Sequence, residues 1–246
     1  MSWTDRARVF AALHNPGDPL ILFNAWDPGS AKVVAQAGAR AIATGSWAVA
    51  DAFGFADGET LPLELALDNV RRIVAIVDLP VTMDIEAGYG DPAATAKAAA
   101  DAGAVGCNLE DRVIGGEGLV PVAEQAERLA AVRAAVGPDF FINARCDLFF
   151  QPGRGSANER AAAALERGRA YAEAGASGLF LPGLIDEALI ERVCKDGALP
   201  VNILAIPGAP DAKRLAALGV ARISHGSGPY VRLMQALGEA ARAAYA

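Results

Sequence analysis

The sequence predicts a (β/α)8 barrel, an α/β fold in which eight parallel strands alternate with helices. Short apolar segments alternate eight times with Ala-rich stretches, and polar residues follow the carboxyl ends of those segments rather than their amino ends. The length agrees as well, because 246 residues match the roughly 250 that one such barrel takes. We therefore expect a single domain over residues 1–246.

The predicted strands are near-continuous apolar runs, as expected for parallel strands that are covered on both faces. They are Leu20–Asn24, Arg40–Thr44, Pro80–Asp84, Ala104–Leu109, Asp139–Ala144, Ser177–Pro182, Pro200–Leu204 and Val220–Ser224. Helix candidates between them include Leu63–Val77, Pro92–Ala102, Pro121–Val136, Ala157–Ala174 and Ala209–Leu218. Several begin at a capping residue or Pro and end at Gly. Eight such units in this length favour a closed barrel over an open doubly wound sheet.

Composition excludes several classes of protein. A net charge of −7 argues against a nucleic-acid partner, whose binders carry clustered Lys and Arg. No apolar run is long enough for a membrane span, and no secretory signal is visible at the N-terminus. Cys107, Cys146 and Cys194 show no paired or metal-type spacing, which is typical of reduced thiols in the cytoplasm. We expect a cytoplasmic protein.

Polar residues cluster where the strands end. In a barrel of this kind the active site lies at the carboxyl ends of the strands. The residues at these ends are Asn24, Thr44-Gly45-Ser46, Asp84-Ile85-Glu86, Glu110-Asp111, Asn143-Ala144-Arg145, Asn202 and Ser224-His225. This asymmetry predicts an enzyme.

Asp84, Glu86 and Glu110 form the candidate metal site. They follow two consecutive strands, and hard cations such as Mg2+ prefer one or two carboxylates together with waters and substrate. Mn2+ is a possible substitute. The alternative is that Asp84 and Glu86 only cap a helix and pair with Arg.

Other side chains supply candidate substrate contacts. Arg145 can grip a carboxylate with two parallel hydrogen bonds, or it can be a structural partner of Asp147 or Glu110. Thr44, Gly45 and Ser46 offer a hydroxyl and turn amides to an anionic oxygen. The four lysines fall outside the predicted barrel interior, which excludes a Schiff-base mechanism. His14, His225 and Cys146 are more typical of structural residues than of catalytic ones.

At these residues the chain resembles the isocitrate lyase/phosphoenolpyruvate mutase superfamily. The most specific match is Asp84-Ile85-Glu86-Ala87-Gly88-Tyr89-Gly90, followed in the family's order by Leu109-Glu110-Asp111 and Asn143-Ala144-Arg145. The resemblance covers nearly the whole chain, from Phe23 to the segment around Asn202. It implies a homo-oligomer, a tetramer or a dimer, that swaps its last helix between neighbours.

The resemblance also implies roles for individual residues. Asp84 would hold Mg2+ directly, and metal-bound waters would touch Glu86, Glu110 and Asp57. The main-chain amides of Gly45, Ser46 and Trp47 would bind the carboxylate of a 2-oxo acid, and Arg145 would contact the substrate. We expect Asp57, Glu110 and Arg145 to be catalytic, with Thr44 and Asn202 among the substrate-binding residues.

The chain departs from the family after the fourth strand. Arg112-Val113-Ile114-Gly115-Gly116-Glu117-Gly118-Leu119 stands where the lyases carry a Lys-Lys-Cys-Gly-His-type segment with the catalytic acid. The mutases' loop Asn and sixth-strand His are missing too. The glycines of this segment predict a mobile lid over the site.

We expect a Mg2+-dependent enzyme that acts on a small 2-oxo mono- or dicarboxylate by C–C lyase or hydrolase chemistry. A second carboxylate on the substrate would pair with Arg145, so oxaloacetate or 2-oxoglutarate should bind better than pyruvate. The alternatives are a P–C bond mutase or hydrolase of the phosphonopyruvate type, and a protein that binds a 2-oxo acid without catalysis.

Overall fold

The computed structural model describes residues 1–150 and 155–246 and contains the eight predicted strands. They are β1 (Leu20–Leu22), β2 (Ile42–Ala43), β3 (Val81–Asp84), β4 (Gly106–Glu110), β5 (Phe141–Arg145), β6 (Gly178–Leu181), β7 (Val201–Leu204) and β8 (Arg222–Ser224). Most are shorter than predicted. Pro80 and Pro200, for example, precede β3 and β7, because Pro has no N–H to donate to the neighbouring strand.

All strand pairs are parallel, and the sheet runs in the order β1-β8-β7-β6-β5-β4-β3-β2. A parallel bridge between Ala25 and Thr44 joins the two outer strands, with the Ala25 amide donating to the Ala43 carbonyl over 2.9 Å. The sheet therefore curls into a nearly closed barrel with helices between its strands, and the (β/α)8 prediction is confirmed.

Ten α-helices lie in the described part of the chain. They are α1 (Trp3–Ala12), α2 (Pro28–Gln36), α3 (Ser46–Ala52), α4 (Leu63–Ile76), α5 (Pro92–Asp101), α6 (Val122–Val136), α7 (Ala157–Glu173), α8 (Glu187–Asp196), α9 (Ala212–Ala217) and α10 (Gly228–Tyr245). None of them is long and apolar enough to cross a lipid bilayer. A 3-10 helix, Asp147–Phe149, follows β5.

Side-chain caps determine where several of these helices begin. Asp91 accepts a hydrogen bond from the Ala94 amide at the start of α5, and Ser156 forms a reciprocal capping box with Glu159 at the start of α7. Such caps satisfy amides that have no partner inside the helix. The helix predicted from Ala209 begins only after Asp211, because Asp211 caps it and Pro210 precedes that cap.

An aromatic cluster closes the amino-terminal end of the barrel. Phe10 from α1 is fully buried and packs edge-on against Phe141 with 5.5 Å between ring centroids. The His14 imidazole stacks on the same Phe141 ring at 3.8 Å, and its Nδ1 lies 2.8 Å from the Phe10 carbonyl oxygen. This end of the barrel is therefore closed by packing, and the polar residues are left to the opposite end.

The burial of His14 should make the fold sensitive to acid. Burial, reinforced by the Arg222 charge, lowers the pKa of His14 from 6.5 to about 3. The folded-state pKa lies below the unfolded one, so the neutral ring stabilises the fold above pH 6.5 and this stabilisation is lost as pH falls toward 3. Between pH 7.5 and 5.0 the loss should be about 2 kcal/mol.

Urea unfolding at these two pH values tests this expectation with His14→Phe, which keeps an aromatic ring but cannot titrate. The variant should lose about 2 kcal/mol less stability than the wild type over this pH range. An equal loss in both proteins would show that other groups cause the acid sensitivity.

Candidate active site

A pocket of about 210 Å3 opens at the carboxyl ends of the strands. Pockets for drug-sized ligands start at about 300 Å3, so this one suits a small metabolite. Its lining combines carboxylates, an arginine, hydroxyls and amides with a few apolar groups. The lining residues are Asn24, Gly45, Ser46, Trp47, Asp57, Asp84, Asn108, Arg145, Phe150, Phe180, Pro182, Leu204, Ser224, Gly226 and Ser227.

Asp84, the last residue of β3, presents its carboxylate to this pocket. Its Oδ2 accepts hydrogen bonds from the Ser46 amide over 3.3 Å and from the Ser46 hydroxyl over 3.1 Å. The Thr44 hydroxyl accepts from the Asp84 amide over 3.2 Å. Thr44 is buried and lies behind Asp84 rather than among the residues that line the pocket, so its hydroxyl positions the aspartate.

Glu86 lies deeper, in the turn after β3, and is only 2% exposed. One carboxylate oxygen accepts from the amides of Gly58 and Glu59 over 3.0 and 2.8 Å, and the other accepts from the Tyr89 hydroxyl over 3.0 Å. Burial, followed by the Asp84 charge, raises the pKa of Glu86 to about 7. Glu86 therefore connects the loop after α3 to the turn after β3 through these hydrogen bonds.

Glu110, the last residue of β4, lies between two arginines. Its Oε2 is 2.7 Å from Arg145 Nη1 and its Oε1 is 3.1 Å from Arg112 Nε. Burial raises the pKa of Glu110, and the Arg145 guanidinium beside it opposes this shift and favours the ionised carboxylate. Arg112 also reaches Asp57, with 3.6 Å between Nη2 and Oδ2, so it connects two carboxylates that the family resemblance assigns to the site.

Arg145 is held mainly by protein carboxylates. Asp147 accepts from Nε and Nη2 over 2.6 and 2.8 Å, while Glu110 contacts Nη1. Of the five N–H groups of a guanidinium, only those left on Nη1 and Nη2 can reach a ligand. Arg145 lines the pocket, but its Nε and Nη2, the side that can bind a carboxylate with two parallel hydrogen bonds, already donate to Asp147.

The structure also separates some of the predicted site residues from the pocket. Asn202 is buried below it, with its Nδ2 donating to the Ser224 hydroxyl over 3.1 Å. His225, for which the sequence favours a structural role, lies beside Phe23 on the outside of the barrel, with 5.1 Å between the ring centroids. Trp47 lines the pocket and packs edge-on against Tyr230 at 6.0 Å. The pocket therefore combines Gly45, Ser46, Trp47, Asp57, Asp84 and Arg145 of the predicted set.

Among the lining residues that the sequence did not identify as site residues are Asn108, Phe150 and Phe180. Asn108 lies inside β4, two residues before Glu110, and Phe150 and Phe180 are apolar. The signal for Asn108 was a polar residue inside an otherwise apolar strand, two positions from a carboxylate on the same face. Arg112 was read only as part of the altered loop, although it contacts two site carboxylates.

The donor chemistry around Asp84 fits a divalent cation. Across residues 1–150 and 155–246, no Lys, Arg or His nitrogen lies within ion-pair distance of the Asp84 carboxylate. Its negative charge raises the pKa of both Glu86 and Glu110. No group of three or more His, Cys, Asp or Glu side chains in these ranges is arranged to hold a metal ion by itself.

The segment predicted to be a lid forms a short hairpin. Arg112 and Leu119 pair as an antiparallel bridge, and the Val113 amide donates to the Gly118 carbonyl over 3.1 Å. Gly115 and Gly118 have φ values of 70° and 91°, which only glycine adopts readily. Arg112 tethers the base of this hairpin to Glu110, so movement of the segment remains a prediction.

The fold and the pocket together define a barrel protein of the enzyme type, with carboxylates and an arginine at the catalytic end of the strands. The family model described as phosphoenolpyruvate phosphomutase matches residues 10–245. The chain therefore belongs to this family, within the isocitrate lyase/phosphoenolpyruvate mutase superfamily, and the resemblance noted in the sequence is confirmed.

Relatives of known name give the family's range of activities. The chain is 34% identical to 2-methylisocitrate lyase of Escherichia coli K12, covering 83% of this chain and 71% of that protein. It is 28% identical to oxaloacetate decarboxylase of Pseudomonas fluorescens SBW25, covering 89% and 77%. These homologues are carbon–carbon lyases.

Solved structures extend the comparison. A protein of Burkholderia cenocepacia J2315, provisionally assigned as a phosphonomutase, superposes with a TM-score of 0.95 at 46% identity, covering 99% of this chain and all of that one. A phosphonopyruvate hydrolase in complex with oxalate and Mg2+ has a TM-score of 0.82 at 25% identity, covering 95% and 84%.

The Glu110–Arg145 pair should be needed for stability as well as for any contact with substrate. Arg145→Met takes the counter-charge from two buried carboxylates, Glu110 and Asp147, and breaking such a pair costs about 3–5 kcal/mol. Combining it with Glu110→Gln removes one of the two stranded charges, so the double variant should recover part of this loss. Guanidinium unfolding measures all four proteins, and additive losses would contradict the pairing.

Proposed function

We propose that this protein is a Mg2+-dependent carbon–carbon lyase that acts on a small 2-oxo dicarboxylate of the oxaloacetate type. The observation that carries the proposal is the pocket itself, where the unpaired Asp84 carboxylate and the Arg145 guanidinium line one cavity of about 210 Å3. A metal-binding carboxylate and a carboxylate-binding arginine in one small space match a chelating 2-oxo acid with a second acidic group.

Asp84 would hold the metal directly, while Glu86, Glu110 and Asp57 would accept hydrogen bonds from its waters. Bound Mg2+ supplies a Lewis acid that polarises the 2-oxo group and favours the enolate. The amides of Gly45 and Ser46 would orient the adjacent carboxylate. The remaining N–H groups of Arg145 would hold a second acidic group or the 2-oxo oxygen.

The chemistry of the pocket favours decarboxylation among C–C cleavages. Its lining in the described chain has no Cys, His, Lys or Tyr, and its ionisable side chains are Asp57, Asp84 and Arg145. In decarboxylation the bond from C3 to the distal carboxylate breaks, CO2 leaves, and the electron pair passes into the C2–C3 enolate. A proton then adds to C3 from water, so no strong acid is needed for the cleavage itself.

A P–C bond mutase or hydrolase is the second candidate. It is favoured by the 46% identity to the provisionally assigned phosphonomutase and by the structural likeness to phosphonopyruvate hydrolase. A non-catalytic 2-oxo-acid-binding protein is the third, since the family's Cys-containing loop is absent here. The three candidates differ in their products. The lyase releases CO2 and pyruvate, the P–C bond enzyme releases phosphate or forms phosphoenolpyruvate, and the binding protein forms no product.

Turnover of oxaloacetate, 2-oxoglutarate, pyruvate and phosphonopyruvate with and without Mg2+ tests the proposal. We expect pyruvate and CO2 from oxaloacetate, loss of activity in EDTA, and recovery with Mg2+ or Mn2+. Asp84→Asn should lower kcat/KM by at least about 1,000-fold, because it removes the direct metal ligand. Its thermal unfolding should stay close to that of the wild type, since the amide keeps the shape and its oxygen still accepts from Ser46.

Asp91→Asn is the matched control, because it changes a carboxylate on the same loop that caps α5 outside the pocket. It should leave kcat/KM within about twofold. Full activity in excess chelator would contradict the proposed metal requirement. Phosphate release would favour the P–C bond enzyme, and thermal stabilisation by oxaloacetate without product would favour the binding protein.

The last helix supports an oligomer in which neighbouring chains exchange α10. Leu233, Met234 and Leu237 of α10 are 55%, 44% and 58% exposed. The outer face of β1 is likewise open, with Ile21 and Phe23 at 47% and 42%, although both faces of a parallel sheet are normally covered. These two uncovered apolar surfaces would be covered together if α10 of a second copy lay across β1.

Leu237→Arg should therefore shift the protein toward the 25.3 kDa monomer, because it places a charge in the proposed interface. Sedimentation velocity measures the shift against wild type, which we expect at two or four times that mass. Ile76→Arg is the control, since Ile76 is 50% exposed on α4, away from both surfaces. A wild-type monomer would exclude the exchange.

A further inference from the structure

A charged side chain, Arg222, lies inside the barrel below the pocket. It is 1% exposed and alternates along β8 with Ser224, so both point into the lumen. No Asp or Glu oxygen in the described ranges lies within 4.0 Å of its guanidinium, which is unusual for a buried charge. Although burial lowers the pKa of Arg222 to about 9, the group stays protonated at neutral pH.

Neutral groups above Arg222 accept its hydrogen bonds. Its Nη2 donates to Asn108 Oδ1 over 3.1 Å and its Nε donates to Ser224 Oγ over 3.2 Å. Two amides add to the same acceptors: Asn143 Nδ2 donates to Asn108 Oδ1 over 2.8 Å, and Asn202 Nδ2 donates to Ser224 Oγ over 3.1 Å. Asn108 Oδ1 and Ser224 Oγ thus each receive two hydrogen bonds from below.

This arrangement determines the orientation of both acceptors, because a guanidinium can only donate. Asn108 must turn its oxygen toward Arg222, which leaves its NH2 group for the other side. Ser224 has both lone pairs engaged, so its hydroxyl hydrogen must point elsewhere. Both residues line the pocket, and no acceptor in the described part of the chain is hydrogen-bonded to either free donor.

We propose that Arg222 is a positioning residue that makes the pocket floor a pair of hydrogen-bond donors, Asn108 Nδ2 and Ser224 Oγ, for an anionic oxygen of the substrate. The proposal rests on the function proposed above and assigns the floor to a carboxylate or enolate oxygen. The Arg222 charge, which has no ion-pair partner in the described ranges, lies beneath these donors and favours negative charge above them. A neutral or cationic ligand would gain neither contribution.

Asn108→Asp is the sharpest test. Weaker binding of an anion is expected if Asn108 is a donor on the pocket floor, and unchanged binding is expected if Asn108 is only structural. The new carboxylate still accepts from Arg222 and Asn143 and gives Arg222 a counter-charge, so folding should be preserved. In the pocket it replaces a donor with negative charge. Oxalate, a small dianion, should therefore bind at least about 100-fold more weakly in saturating Mg2+.

Ser224→Ala removes one donor and should weaken oxalate binding by about 10- to 100-fold, the loss expected for one hydrogen bond to a charged group. Arg222→Gln removes the charge and allows Asn108 to turn over, so it should also weaken binding. Arg222→Lys keeps a donor-only cation and should retain more affinity than Arg222→Gln. Asn158→Asp, on the exposed start of α7, controls for the added charge.

Calorimetry should follow Mg2+ and oxalate separately for each folded variant. The expected pattern is weaker oxalate binding with Mg2+ affinity equal to or above that of the wild type, since the new carboxylate of Asn108→Asp lies on the strand beside Asp84. A merely structural role predicts unchanged oxalate affinity in Asn108→Asp, and that result overturns the proposal. If the wild type itself fails to bind oxalate with Mg2+, the proposed function fails and the floor loses its ligand with it.

Discussion

The ion pair between Glu110 and Arg145 is the interaction on which the mouth of the barrel depends. Glu110 is 2% exposed and ends β4, while Arg145 ends the neighbouring β5. A buried carboxylate without a counter-charge would be strongly destabilising. Because Arg145 also binds Asp147 and Arg112 binds Asp57, the ion pairs around this one glutamate connect three segments, which are the loop after α3, the end of β4 and the end of β5.

Asp84 is different, since its neighbours give it hydrogen bonds but no ion pair. Ser46 donates to one of its oxygens twice, and its charge raises the pKa of the glutamates around it. The protein thus pairs Glu110, Asp57 and Asp147 with arginines, and it leaves Asp84 in the pocket without an ion pair in the described ranges. This difference between the arginine-paired Glu110 and Asp84 is what favours Asp84 as the direct metal ligand proposed above.

The sequence predicted the eight strands because each is an apolar run, and it predicted the active-site end because polar residues follow those runs. It placed Asp84, Ser46 and Arg145 near one another through the parallel order of the strands. It offered Asp147 and Glu110 only as alternative partners of Arg145, and it did not determine that both pair with Arg145 or that His225 lies beside Phe23 outside the barrel. Those facts depend on side-chain rotation and strand register, which spacing along the chain does not determine.

The hydrogen bonds of Arg222 could not be predicted from spacing along the chain either. Arg222 and Asn108 are 114 residues apart in the chain and meet only because the barrel closes. A buried charge of this kind is tolerated when oriented dipoles and a nearby opposite charge replace its hydration, and here Asn108, Ser224 and the attraction to Asp84 supply them. Asn108 and Ser224 therefore direct their oxygen atoms at Arg222 and their N–H and O–H donors toward the substrate. A requirement of folding, the solvation of one buried guanidinium, thereby sets the polarity of the surface on which the ligand rests.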